Sequence, residues 1–365
     1  MINTKKFLSI LNKIGITQCV GVPDSVLKNF LSIVPENKNF ISNNEGSAVA
    51  FGIGYFLATK KIPLIYLQNS GLGNAINPLV SIAHPKVYSI PLLLLIGWRG
   101  SPSSKDEAQH LAQGKITKDF LKLLGIKTLI LKKDNDLKKI NKLVQFAKKN
   151  RKPVAILVEN KKFEKVSKKK SLKRNNFNIK RIIFLEHLLK KISKNYRLIS
   201  TTGYTSRELF QLRRDKNLKK GSDFYMVGGM GHASNVALGY SKNSKKQILV
   251  IDGDGSFLMH LGGLVNSGVK GDNNYKYILL NNYCHESVGS QKTLINKVDL
   301  KLISKGIGFN NYIEIKNEKE INKKIDKFIN SKKKVFMNVR IKEGSINGLI
   351  RPKNLSKIKD IFIKN

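Results

Sequence analysis

The chain has 365 residues, 41% of them hydrophobic, and carries 67 Lys plus Arg against 25 Asp plus Glu, a formal net charge of +42. That length suits two ordinary domains, and that apolar content excludes a mainly disordered polycation. Two cysteines, Cys19 and Cys284, exclude a disulfide framework or a cysteine metal site; no apolar run is long enough for a bilayer and MINTKKFLSILNK has no signal-peptide core, so a cytoplasmic protein without a membrane partner is expected.

Gln18 to Val22 reads as a strand that ends in Gly21-Val22-Pro23-Asp24-Ser25. Asp24 or Ser25 is placed to cap the helix carrying Val26, Leu27, Phe30 and Leu31. Asn39 to Ser42 is a short strand, followed by Glu45 and a helix of small residues, GSAVAFGIGYFLATK. Ile62 to Gln68 is a strand ending in Asn69-Ser70-Gly71-Leu72-Gly73-Asn74, and Ile90 to Ile96 one ending in Gly97-Trp98-Arg99-Gly100. Ile126 to Lys132 and Pro153 to Val158 add two more. A dense basic run, Lys161 to Arg174, reads as a solvated linker. The pattern then restarts. Arg197 to Ser200 precedes Thr201-Thr202-Gly203, and Phe224 to Val227 precedes Gly228-Gly229-Met230-Gly231-His232. Gln247 to Ile251 precedes Asp252-Gly253-Asp254-Gly255 and one helix, SFLMHLGGLVNSGV; Tyr277 to Leu280 precedes Asn281-Asn282; Val335 to Val339 is the last strand. Apolar runs with helices between them predict an α/β fold of two doubly wound, mostly parallel-sheet domains, 1–165 and 181–365, joined by a basic linker at 166–180. Ligands of such sheets bind at the carboxyl ends of the strands.

The second half holds the sharpest motif. Glycines at Gly253 and Gly255 let the backbone approach a diphosphate, and the helix that begins with Ser256 favours its negative charge. Asp254 and Asn282 end neighbouring strands and offer hard oxygens to one Mg²⁺, an ion that takes few protein ligands beside phosphate. Gly-Asp-Gly alone is a common turn. Its pairing with Asn-Asn, each at a strand end, is specific.

The pair resembles the signature of the thiamin-diphosphate enzymes of the pyruvate-decarboxylase-like superfamily. The resemblance implies thiamin diphosphate and Mg²⁺ as cofactors, with Asp254, Asn282 and the backbone of Cys284 on the metal, and Gly253, Gly255 and Ser256 at the diphosphate. It implies that Glu45, which taken alone is a helix-start residue, hydrogen-bonds the aminopyrimidine ring from the other, pyrimidine-binding domain. It implies that Met230 wedges the bent cofactor and that the Gly228 carbonyl accepts from its amino group; read alone, Met230 is a core residue.

Most members carry a middle domain, for which 365 residues leave no room. The chain is similar to the short branch, the family of phosphonopyruvate and sulfopyruvate decarboxylases. The likeness covers nearly the whole chain, through Gly21-Val22-Pro23-Asp24-Ser25, Asn44-Glu45-Gly46, Gly97-Trp98-Arg99-Gly100, Lys105-Asp106-Glu107-Ala108-Gln109-His110, the stretch Thr201 to Leu209, and His285-Glu286-Ser287 with Gly289-Ser290-Gln291. Two departures are visible: Ala108 where proline is expected, and Ser101 where an acidic residue is expected.

The implied reaction is the non-oxidative decarboxylation of 3-phosphonopyruvate to phosphonoacetaldehyde and CO₂, as in phosphonate biosynthesis. The cofactor carries the difficult chemistry. Asp24, His110 and His285 are the candidate acid–base groups, with Glu286 an outside choice; histidine is chosen because it changes charge near neutral pH. Asp24 is equally a helix cap. Ser25, Arg99 and Lys115 are candidates for the anionic 2-keto acid, whereas Arg207 is expected to be structural, pairing with Glu208 or its helix neighbours. The family arrangement implies a homodimer or higher oligomer with active sites between subunits. Sulfopyruvate, or another short-form 2-keto acid, is the alternative substrate. The net charge raises a different class, a nucleic-acid-binding protein on an inactive enzyme scaffold. Lysine scattered together with Ile and Asn, as in NNYKY, points instead to biased composition, so nucleic acid is not the expected partner.

Overall fold

Short apolar runs build the strands of two separate six-stranded parallel sheets. The computed structural model describes residues 1–166, 175–218 and 220–364, and the chain divides into units of residues 1–171 and 172–365. Residues 167–174 of the basic run expected as a linker lie outside the described residues.

In the first unit the strands are β1 (Cys19–Gly21), β2 (Asn39–Ile41), β3 (Leu64–Gln68), β4 (Leu93–Trp98), β5 (Lys127–Leu131) and β6 (Val154–Glu159), in the order β2-β1-β3-β4-β6-β5. Helices α1 (Thr4–Lys13), α2 (Lys28–Leu31), α3 (Glu45–Thr59), α4 (Leu72–Pro78), α5 (Ala108–Leu123) and α6 (Lys138–Asn150) cover the sheet. The inner strands β3, β4 and β6 are buried on both faces, which is why they read as continuous apolar runs. Leu64 and Tyr66 of β3 face one apolar cluster, with Leu93 and Leu95 of β4. Ile65 and Leu67 face the other, with Leu94 and Ile96. The strand expected from Ile90 starts at Leu93, because Pro91 has no N–H for the ladder. The strand order reverses between β1 and β3, so the loops after them line the crevice where open α/β sheets take ligands.

The second unit repeats the plan. Its strands are β7 (Tyr196–Ser200), β8 (Ser222–Tyr225), β9 (Gln247–Gly253), β10 (Tyr275–Asn281), β11 (Cys284–His285), β12 (Gln291–Lys292), β13 (Asn311–Ile315) and β14 (Val335–Arg340). The parallel sheet runs β13-β14-β10-β9-β7-β8, while β11 and β12 form a small antiparallel pair. Helices α7 (Arg181–Lys191), α8 (Tyr204–Asp215), α9 (Ala233–Ser241), α10 (Asp254–Met259), α11 (Leu261–Lys270), α12 (Leu300–Gly306), α13 (Ile321–Ile329) and α14 (Leu355–Lys364) complete it. The order reverses between β7 and β9.

Two differences from the sequence reading have physical causes. The single helix expected after Gly-Asp-Gly is broken at His260, whose backbone leaves helical geometry at φ −132°, ψ 48°. Its ring stacks on His232 at 4.5 Å and lies so close to Gly231 that a Cβ there would sit 2.4 Å from it. The edge strand β13, Asn-Tyr-Ile-Glu-Ile, escaped notice because an edge strand alternates polar and apolar residues over a short span. No helix among the described residues is long and apolar enough to cross a membrane.

Candidate active site

The first unit places Glu45 as the opening residue of α3. Asn44 caps that helix, its side chain accepting from the Ser47 N–H at 2.8 Å. Glu45 is buried, and Asn74 donates to its Oε2 at 2.8 Å. Burial pushes its pKa up, against the pull of the Asn74 bond. The carboxyl lies in a hollow left by Gly71: a Cβ at Gly71 would sit 2.2 Å from Glu45 Oε1. A buried acid with a raised pKa is suited to share or relay a proton rather than to serve only as a cap.

Asp24 is fully buried after β1. Its Oδ2 accepts from the N–H groups of Val26 (3.0 Å) and Leu27 (3.2 Å), while Oδ1 has no hydrogen-bond partner. One oxygen therefore caps and the other is left over, so the two readings of Asp24 occupy different atoms. Burial raises its pKa to about 6, against those N–H groups and Arg99.

Arg99, at the end of β4, is held by Asp106. Nε donates to Oδ2 at 2.6 Å and Nη2 to Oδ1 at 2.5 Å, with Glu107 Oε1 at 3.3 Å and Ser25 Oγ 3.3 Å from Nη1. Arg99 is thus bidentate to a carboxylate rather than an open anion site, and Ser25 is brought to it. His110 lies beside this group, its Nε2 4.0 Å from Glu107 and its Nδ1 buried without a partner. Burial, with Arg99 nearby, lowers its pKa to about 4. Lys115 is exposed on α5, one residue past buried Gly114, and is not drawn into this cluster. The departure Ser101 is buried, and its hydroxyl lies 3.3 Å from that of Ser103, which donates to Glu159 at the end of β6 at 2.6 Å.

In the second unit, Leu280 of β10 pairs with Gly253 of β9, so Asp254 and Asn282 leave the sheet side by side. Asp254 is buried. Its Oδ2 accepts from the Thr293 hydroxyl at 2.8 Å and its Oδ1 from Gly255 N–H at 3.0 Å, and the Tyr283 backbone also bonds to it. None of these partners is cationic, and burial raises its pKa to about 7. Asn282 Oδ1 accepts from the Cys284 N–H at 3.1 Å, which draws Cys284 into the same turn. Between them Tyr283 sits at φ +65°, the left-handed conformation such a tight turn requires. The Ser256 hydroxyl ties Thr201 (3.0 Å) to the Gly231 N–H (2.9 Å), so it fixes the loop carrying Gly228 and Met230. Met230 and His285 converge on Gly255, where a Cβ would lie 2.7 Å from the His285 ring and 3.2 Å from the Met230 methyl. Burial lowers the His285 pKa to about 4. Both candidate histidines are therefore neutral at neutral pH, which corrects the reason for choosing them.

Arg207 lies over the ring of its helix neighbour Tyr204 and grips the Leu349 carbonyl (2.5 Å) and the Ile350 carbonyl, rather than Glu208. One more correction concerns an acid. Glu286 is not a free acid: it is paired with Arg181 and accepts from Asn282.

A buried carboxyl in a glycine hollow fits a pyrimidine-binding half. A buried, uncompensated aspartate beside an asparagine oxygen fits a diphosphate-bound cation. Residues 4–123 match the model of the thiamine pyrophosphate enzyme N-terminal TPP binding domain, and residues 201–339 that of the C-terminal TPP binding domain. The chain is 31% identical to a phosphonopyruvate decarboxylase of Streptomyces viridochromogenes, over 97% of this chain and 92% of that one. The chain belongs to the phosphonopyruvate decarboxylase family of thiamine pyrophosphate enzymes. It is also 27% identical to a sulfopyruvate decarboxylase of Methanosarcina acetivorans, over 94% of this chain and 92% of that one. A sulfopyruvate decarboxylase subunit alpha of Methanocaldococcus jannaschii is 34% identical over 38% of this chain and 82% of its own. The chain is accordingly a decarboxylase of the phosphonopyruvate and sulfopyruvate type, and the expected fold of two thiamin-diphosphate-binding domains holds.

Within this family assignment, sequence reasoning missed the groups that hold the candidates in place. Asn74 and Asp106 stand in motifs that were quoted, but nothing local says that they bond Glu45 and Arg99. Thr293, 39 residues from Asp254, carries no local signal at all.

Proposed function

We propose that the chain catalyses the Mg²⁺- and thiamin-diphosphate-dependent decarboxylation of 3-phosphonopyruvate to phosphonoacetaldehyde and CO₂, in phosphonate biosynthesis. The observation that carries this is Glu45, buried at the start of α3 with its carboxyl in the Gly71 hollow, in a chain whose likeness to phosphonopyruvate decarboxylases is full-length. Bound thiamin diphosphate supplies a thiazolium that accepts the electron pair left by departing CO₂.

Asp254, Asn282 and the Cys284 carbonyl would hold Mg²⁺, with Gly253, Gly255 and Ser256 at the diphosphate. The Gly228 carbonyl and Met230 would meet the pyrimidine and the bend of the cofactor. Glu45 holds and returns the proton that the aminopyrimidine exchanges. Asp24 Oδ1, buried and unpartnered, is suited to hold a proton for the leaving product. His110 and His285 act as neutral imidazoles. Ser25 and Arg99 meet the substrate's anionic end, which requires Arg99 to share its guanidinium between Asp106 and the ligand, and Lys115 adds positive charge nearby.

The active form is a homodimer or larger, with each site built from the pyrimidine half of one subunit and the diphosphate half of another. Support comes from α3 itself, which leaves Ala50, Phe51, Gly54 and Leu57 exposed on the helix that Glu45 begins. Steady-state decarboxylation of phosphonopyruvate and sulfopyruvate, read by aldehyde formation, tests the substrate. A higher kcat/KM for phosphonopyruvate is expected. An equal or higher value for sulfopyruvate would overturn it.

A further inference from the structure

Glu286 stands four residues past Asn282 and takes no part in the mechanism above. Its surroundings give it a different task. Asn282 Nδ2 donates to Glu286 Oε2 at 3.1 Å, and the same oxygen receives Arg181 Nη2. The other oxygen receives the Gly344 N–H. Arg181 is itself buried, with 4% of its side chain exposed, and its Nη1 also donates to Glu208 at 3.3 Å. Both oxygens of the Glu286 carboxylate are therefore occupied, and the one that meets Asn282 is held by a buried guanidinium.

An asparagine amide has a donor end and an acceptor end of nearly the same shape. A metal accepts only the oxygen end. A carboxylate accepts only the nitrogen end. We infer that Glu286, anchored by Arg181, is a positioning residue that orients the Asn282 amide so that Oδ1 faces the metal. The Cys284 N–H at 3.1 Å uses one lone pair of Oδ1 and leaves the second for the cation. Groups that orient metal ligands in this way change metal affinity about 10- to 100-fold when removed. The inference rests on the cofactor reading above, since it takes Asn282 as a metal ligand.

The test is a Mn²⁺ titration of the full chain saturated with thiamin diphosphate, with free Mn²⁺ read by electron paramagnetic resonance. Wild type, Glu286→Ala and Glu286→Gln are compared, and melting of the cofactor-free chains checks that each is folded. Glu286→Ala is expected to weaken Mn²⁺ binding about 10- to 100-fold with the fold intact. Glu286→Gln keeps an acceptor for Asn282 Nδ2 without the charge, and should restore most of the affinity. Wild-type affinity in Glu286→Ala would overturn the inference alone. A glutamine variant as weak as the alanine variant would assign the effect to charge and overturn the orienting role. A wild-type chain that takes up no Mn²⁺ with thiamin diphosphate would overturn the cofactor reading and this inference together.

Discussion

Asp24 shows how one carboxylate serves a turn and stays available for chemistry. Oδ2 caps the chain and Oδ1 is buried alone, so the ionised form is unfavourable and the pKa rises to about 6 from 3.8. A folded-state pKa above the unfolded one means that the proton stabilises the fold. That contribution is complete below about pH 4 and is lost as pH rises through about 6, amounting to about 3 kcal/mol. Asp24→Asn keeps an oxygen for the Val26 and Leu27 N–H groups and cannot ionise. Urea unfolding should show it more stable than wild type at pH 8 by up to about 3 kcal/mol and nearly equal at pH 4. Its decarboxylation should fall at least about 10-fold, if Oδ1 handles a proton. A variant no more stable at pH 8 would contradict the buried-charge account. At this scale the residues that open helices or end strands, Glu45, Asp254 and Asn282, were legible, because residue type and local turn specify them together. Thr293 and Asn74 were not, because their bonds to those residues depend on tertiary structure.

The elements meet where side chains have been removed. Gly114 of α5 lies on Gly100, so closely that a Cβ on Gly114 would be 1.7 Å from the Gly100 carbonyl oxygen. The Trp98 indole donates to the Gly114 carbonyl at 3.0 Å, which ties α5 to the end of β4. α5 carries His110, and β4 leads to Arg99, so this contact sets the spacing of two candidate site groups. Gly114→Ala would push backbone against backbone, with no flexible side chain to yield. A loss of about 1–3 kcal/mol is expected. Trp98 is the chain's single tryptophan and is buried, so its emission should shift to the red as α5 is pushed off and water reaches the indole. Unchanged emission and stability would contradict the close docking. The inner strands β3, β4, β6, β9 and β10 were legible because both of their faces are buried and their runs are mostly apolar. The break at His260 was not, since it follows from ring stacking on His232 rather than from any helix-ending residue.

The whole molecule carries +42, and that charge is less informative than the division into two thiamin-diphosphate-binding halves. Each half has its own sheet and its own pair of apolar clusters. The exposed apolar side chains on α3 have a counterpart on α9 and α11, where Val236, Val265 and Val269 are open to solvent. In the proposed dimer these apolar faces would be covered by the second copy. Light scattering is expected to give a dimer or larger. A Phe51→Glu, Leu57→Glu double variant should be monomeric, folded by circular dichroism and inactive. A fully active monomer would contradict assembly of sites between subunits.

The most direct measurement is product formation from 3-phosphonopyruvate with thiamin diphosphate and Mg²⁺, by wild type and by Glu45→Gln. Wild type should release one phosphonoacetaldehyde for each CO₂. Glu45→Gln, still folded and still binding the cofactor, should be slower by about 100-fold or more. No aldehyde from wild type, or wild-type turnover in Glu45→Gln, would contradict the account.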